Sequence, residues 1–145
     1  MRAHHFSLST VLRVRTLQER LAREQLLVAQ RDVRQAHEQH RATASLLNEL
    51  TVSPRSTTID EIRWVGDQAR RLHEQVRTRH DAVVEASRER DRTSEAWTAA
   101  RKRAAALERL KYQSVARWQR EFQRSEVAEL DDVANARHVA NEVDS

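Results

Sequence analysis

The chain has 145 residues, a formal net charge of +4 and a sequence pI of about 10.5, with 33% charged and 4% aromatic side chains, one Gly, one Pro and no Cys. That composition excludes a disulfide framework, a thiolate nucleophile and, with a single glycine, a glycine-rich phosphate loop. Ala, Glu, Lys, Leu and Arg supply 73 of the residues, which points to long helices or a coiled coil, and there is too little turn chemistry for many helix ends.

The first element is predicted over about residues 7–50. Neither Gly nor Pro occurs between Leu8 and Leu50, and a 4,3 spacing runs through Ala22, Leu26, Ala29, Val33, Ala36, His40, Thr43, Leu47 and Leu50. Most of these are apolar, so the row reads as a coiled-coil seam. Upstream, Val11, Val14, Leu17 and Leu21 form a stripe displaced by one residue, expected to carry the apolar face onward through a phase shift. The only stretch suited to a signal-peptide core, "FSLSTVLRVRTL", is interrupted by Arg13 and Arg15, and apolar runs reach only four residues, as in Leu26 to Ala29. A soluble, unprocessed cytosolic chain with no membrane insertion is expected. Phe6, Leu8, Val11, Leu12, Arg13 and Arg15 give only a weak interfacial pattern.

A break follows at about residues 51–57, in "TVSPRSTTIDE". Pro54 lacks an amide proton and pushes Ser53 toward extended backbone, while Thr58 and Glu61 have the spacing of a capping box. Asp60 and Glu61 also suit the positive end of a helix dipole. The second helix is therefore predicted from about 58 to about 137, with a frayed tail over about 138–145. Its seam reads Ile62, Val65, Ala69, Leu72, Val76, Arg79, Val83, Ala86, Arg90, Thr93, Trp97, Ala100, Ala104 and Leu107, then shifts to Val115, Trp118, Phe122, Leu130 and Val133. Gly66 falls about two turns inside this helix, where glycine costs about 1 kcal/mol relative to alanine.

These elements define one all-α domain over 1–145: an antiparallel two-helix coiled-coil hairpin with a longer, overhanging second helix. At 1.5 Å per residue the second helix spans about 120 Å against about 65 Å for the first. An antiparallel pairing is expected to bring Leu50 to the region of Ile62 and Leu8 to roughly Ala104. Beyond about Leu107 the second helix would stand alone with Trp118 and Phe122 exposed, a surface for a partner. Residues 101–124 carry eight basic and two acidic side chains, and residues 125–145 one basic and six acidic.

Little chemistry is available. His37 and His40 are an i, i+3 pair and His73 and His80 lie seven apart, short of the three or four convergent ligands zinc needs. No metal, cofactor or catalytic residue is expected, and His40 reads as a register-setting polar residue. Arg79 and Arg90 in the seam read as long stems that cover it while their heads reach water. In "RKRAAALERLKYQSVARWQR" apolar ridges interrupt the basic residues and an acidic segment follows, unlike a groove-reading basic region, so no nucleic acid is expected.

Two blocks carry a family resemblance. At the start, Phe6, Leu8, Val11, Leu12, Arg15 and Glu19 fit the pattern F-x-L-x-x-V/L-L-x-x-R-x-x-x-E. Later, a basic run leads to Leu107, Glu108 and Leu110, followed by Glu126, Leu130, Asp131, Asp132 and Arg137. Together they resemble FliJ, the coiled-coil family of the flagellar type III export apparatus, although Asp132 stands where Glu is commoner. The resemblance implies a non-enzymatic protein similar to the central stalk of rotary ATPases. It would bind and activate the flagellar export ATPase ring, meet the cytoplasmic domain of the export gate and handle export chaperones, at the inner face of the cell membrane. It points to Phe6, Leu8, Leu12 and Arg15 near the later helix, and to Glu108, Leu110, Arg117, Trp118, Phe122, Glu126, Leu130, Asp131, Asp132 and Arg137 as partner-binding positions. The alternative is a coiled-coil scaffold or a small secreted hairpin of the ESAT-6 type, suggested by Trp64-Val65-Gly66. Hairpins of that type carry their WxG tripeptide between the helices and a Tyr-x-x-x-Asp/Glu signal after them, whereas Tyr112 is followed four residues on by Ala116.

Overall fold

The computed structural model of the chain describes residues 6–52 and 58–143, and the side chains of 6–51 and 58–137. The expected turn at Pro54 and the side chains of the expected frayed tail lie outside the described residues. Helix α1 is Ser9–Val52, 44 residues, and α2 is Ile59–Val143, 85 residues. They pack against each other as an all-α helical hairpin, with no strand among the described residues.

Local chemistry sets the starts of both helices. The Ser9 amide donates to the Phe6 carbonyl at 3.0 Å and the Leu12 amide to the Leu8 carbonyl at 2.9 Å. At α2, the Glu61 amide donates to Thr58 Oγ1 and the Thr58 amide donates to Glu61 Oε2, both at 3.3 Å. This reciprocal pair satisfies two amides that a helix start leaves without intrahelical partners. Gly66 lies within α2 at a negative φ, with no atom within 4 Å of the place a Cβ would occupy. The Trp64-Val65-Gly66 tripeptide is therefore ordinary helix.

The chain divides into two compact units, Leu17–Arg101 and Met1–Thr16 with Lys102–Ser145. In Leu17–Arg101 the helices run antiparallel: Glu19 meets Trp97, Gln39 meets Arg79 and His40 meets His80. All nine seam positions from Ala22 to Leu50 are at least partly withdrawn from solvent, with Leu26 and Ala29 buried. Opposite them Val83 is buried, and Val65, Ala69, Leu72, Val76, Ala86, Trp97 and Ala100 are half-buried. Alanine at so many seam sites brings the helices close together but gives each site little apolar area, so stability is spread along the seam.

Polar seam residues are accommodated individually. The Thr43 hydroxyl donates to the Gln39 carbonyl at 2.9 Å, and the Thr93 hydroxyl is within 3.0 Å of the Glu89 and 2.9 Å of the Arg90 carbonyl. Each hydroxyl thus finds its acceptor in its own helix. Arg79 reaches solvent and donates to Gln39 Oε1 at 2.7 Å, while the half-buried Arg90 directs its guanidinium to Asp91 at 2.7 Å.

Three expectations are corrected. The stripe Val11, Val14, Leu17 and Leu21 does not continue the seam, for all four are exposed. Instead the 4,3 row runs back unbroken from Ala22 through Glu19, Arg15 and Leu12, which are half-buried. A carboxylate is tolerated there because Trp97 Nε1 donates to Glu19 Oε1 at 2.8 Å, which compensates its desolvation. The pairing is also displaced from that expected, by about six residues or nearly one heptad. Ile62 is 59% exposed, and the contacts of Glu19 with Trp97, Gln39 with Arg79 and His40 with His80 bring Leu50 level with about Gln68. Lastly, Trp118 and Phe122 are half-buried rather than exposed, their rings stacked on each other with centroids 5.6 Å apart at 22°.

Candidate partner-binding surfaces

In the unit formed by Met1–Thr16 and Lys102–Ser145, Phe6, Leu12 and Arg15 are half-buried and Leu8 is exposed. On α2, Ala104 is buried, and Leu107, Val115, Trp118 and Phe122 are half-buried at successive 3- or 4-residue steps or their multiples. Glu108, Leu110 and Arg117 are exposed between them. From Gln123 to Arg137 every side chain is exposed, including Glu126, Leu130, Asp131, Asp132 and Arg137. The second block therefore divides into a sheltered portion ending at Phe122 and a fully solvated acidic helix beyond it. Val127, Leu130 and Val133 are large apolar side chains left in water on that acidic helix, the condition under which a partner surface is expected.

The unit Leu17–Arg101 presents a second surface, which takes in Leu17 and Leu21 of the displaced stripe. Leu17, Leu21 and Val28 are 53%, 50% and 52% exposed, and Leu27 is exposed beside them. An open groove of about 510 Å³ runs alongside, lined by Leu21, Glu24, Gln25, Val28, Ala29 and Asp32 of α1 with Glu89 and Thr93 of α2. The sequence signal for this face was the one-residue displacement of its stripe from the seam. On a helix such a displacement turns side chains by about 100°, and that is enough to take them out of the interface.

Glu19 joins the first block to the packing. Trp97 holds its carboxylate, and the Arg101 guanidinium lies 5.5 Å from the Trp97 ring centroid, within cation–π range. The ion pairs of α2 are local and solvated: Asp67 with Arg70, and Glu85, Glu89 and Asp91 with Arg88, Arg90 and Arg92. Exposed pairs of this kind contribute little to stability. No group of three or more His, Cys, Asp or Glu among the described residues could hold a metal ion, and no helix among them is long and apolar enough to cross a membrane.

The architecture is that of an antiparallel coiled-coil hairpin whose second helix is nearly twice the length of the first. The family model of the flagellar FliJ protein matches residues 4–142, and the chain belongs to that family. It is thus a protein of the flagellar export system, from a family of non-catalytic components. No curated protein and no solved structure matches the chain.

Proposed function

We propose that the protein acts as a stalk-like coiled coil that binds the flagellar export ATPase ring and promotes its assembly and activity. The same molecule contacts the cytoplasmic domain of the export gate and receives export chaperones, working in the cytoplasm against the inner face of the membrane. The observation that supports this reading most is the solvated end of α2, where fifteen consecutive exposed residues from Gln123 to Arg137 follow the strongly basic stretch 101–124. A long helix can enter a ring only if its surface tolerates water when alone and offers apolar and charged side chains to the ring when inserted. Val127, Leu130 and Val133, set among Glu126, Glu129, Asp131 and Asp132, meet both conditions. Charges on such a segment steer the encounter more than they fix its strength, so the association rate falls as salt is raised.

The test is titration of the full-length protein into the export ATPase from the same source, following phosphate release and ring formation together. Both are expected to rise. Replacing exposed Arg117 and Arg120 by Glu should reduce both by at least about tenfold with helical content unchanged, the size expected from reversing two steering charges. A folded protein that neither binds nor affects the ATPase would contradict the reading.

A further inference from the structure

Two exposed faces of this chain complement each other in charge and apolar character. The first is the outer side of α1 between Leu17 and Arg34. At 100° per residue Leu17, Leu21 and Val28 share one stripe, bordered on one side by Arg20 and Arg31, with Arg23 and Arg34 further round. All seven are exposed. Among the described residues none of the four arginines makes an ion pair or side-chain hydrogen bond, unlike Arg88, Arg90 and Arg92, each of which sits on a carboxylate. Glu24 projects between the stripe and Arg20 and Arg31, and on the other side of the stripe the groove runs past Gln25 and Asp32 to Glu89.

The second face is on α2 between Glu126 and Ala134. Val127, Leu130, Val133 and Ala134 share a side of that helix, with Glu126 among them between Leu130 and Val133, Glu129 at the edge beyond Val133, Asp131 beside Arg124 at the other edge, and Asp132 on the opposite side. All are exposed, and none of the four carboxylates has an ion-pair partner among the described residues. The first face offers an apolar stripe with a guanidinium edge; the second offers an apolar stripe with a carboxylate edge.

We propose that the α1 face of one copy receives the 126–134 segment of a second copy, with Glu126 and Glu129 set against Arg20 and Arg31. Apolar burial supplies the adhesion, and the charged edge selects this pairing and its direction, as edge charges do in coiled coils. If each copy both gives and receives a segment, the assembly closes as a two-fold pair; if only one contact forms per copy, it grows head to tail. The contact needs no ATPase, and it withdraws from solvent the segment proposed above to meet the ring, so self-association and ring binding compete.

The experiment uses the full-length chain and two charge-reversed variants, R20E/R31E and E126K/E129K, with sedimentation or light-scattering mass measured against concentration. Circular dichroism establishes that each remains helical. The wild-type mass is expected to rise above one copy with concentration, and to fall back as salt is raised. Each variant alone sets like charges face to face and should need at least about tenfold higher concentration to associate. Mixed in equal amounts, the two variants present opposite charges to each other at both contacts and should associate again. Three results would overturn the proposal: a wild type that stays monomeric, variants that associate as the wild type does, or folded variants whose mixture stays monomeric. Because no ATPase is present, failure of the stalk reading leaves these outcomes unchanged.

Discussion

Gly66 shows what a single residue contributes when nothing else depends on it. It is helical, unstrained and faces open space, so its only effect on the free chain is the backbone freedom it surrenders on folding. Gly66→Ala is expected to raise the unfolding free energy by about 1 kcal/mol, read from the midpoint of a denaturant titration. A decrease would mean that the flanking backbone needs a conformation that alanine refuses. Seam residues such as Leu26, Val83 and Ala104 were legible in the sequence because burial follows the 4,3 period. Glu19 was not, since a charged residue argues against a seam when polarity is read alone. Counting back in 4,3 steps from Leu26 through Ala22 lands on it, and the Trp97 bond explains why spacing outweighs polarity there.

At the scale of the element, the start of α2 rests on a few polar atoms. Thr58→Ala removes the acceptor for the Glu61 amide and is expected to cost about 1 kcal/mol. Hydrogen exchange should report the change as faster exchange confined to the first turn of α2; uniform loosening along both helices would show that the cap matters for the whole pair. The cap and the length of α2 could both be read from sequence, the first from the Thr58 to Glu61 spacing and the second from the lack of any helix breaker after Pro54 other than Gly66. The true face of α1 near its start could not. Val11, Val14, Leu17 and Leu21 are the most apolar row in that stretch, and hydrophobicity alone assigns them inward. What decides is the opposite helix: Trp97 of α2 takes Glu19, and the sheltered row is the straight continuation of Leu26 and Ala22 through Glu19, Arg15 and Leu12.

For the molecule as a whole, the two-helix architecture and its family were legible because composition, the single break and the two end blocks agree. The register of the pair was harder. Ala22, Ala29 and Ala36 of α1 repeat at the heptad spacing, so a shift of one heptad replaces alanine by alanine at two of these three sites and apolar burial there hardly distinguishes neighbouring alignments. The choice falls to directional contacts, chiefly Trp97 to Glu19 at 2.8 Å and Arg79 to Gln39 at 2.7 Å.

Those two bonds are expected to act on the helix pair as a clutch. Engaged, they hold one alignment; released, they are expected to allow axial travel of about 10 Å, one heptad at 1.5 Å per residue. The absence of native cysteine allows spin labels at Gln30→Cys and Arg77→Cys to follow that travel in the otherwise full-length chain. A single narrow distance is expected with Glu19 and Gln39 intact, and a second population displaced along the axis when both are replaced by Ala. One unchanged peak in the replaced protein would mean that the larger seam side chains hold the alignment. A displaced population would show that pulling on one helix can be converted, contact by contact, into linear travel of the other.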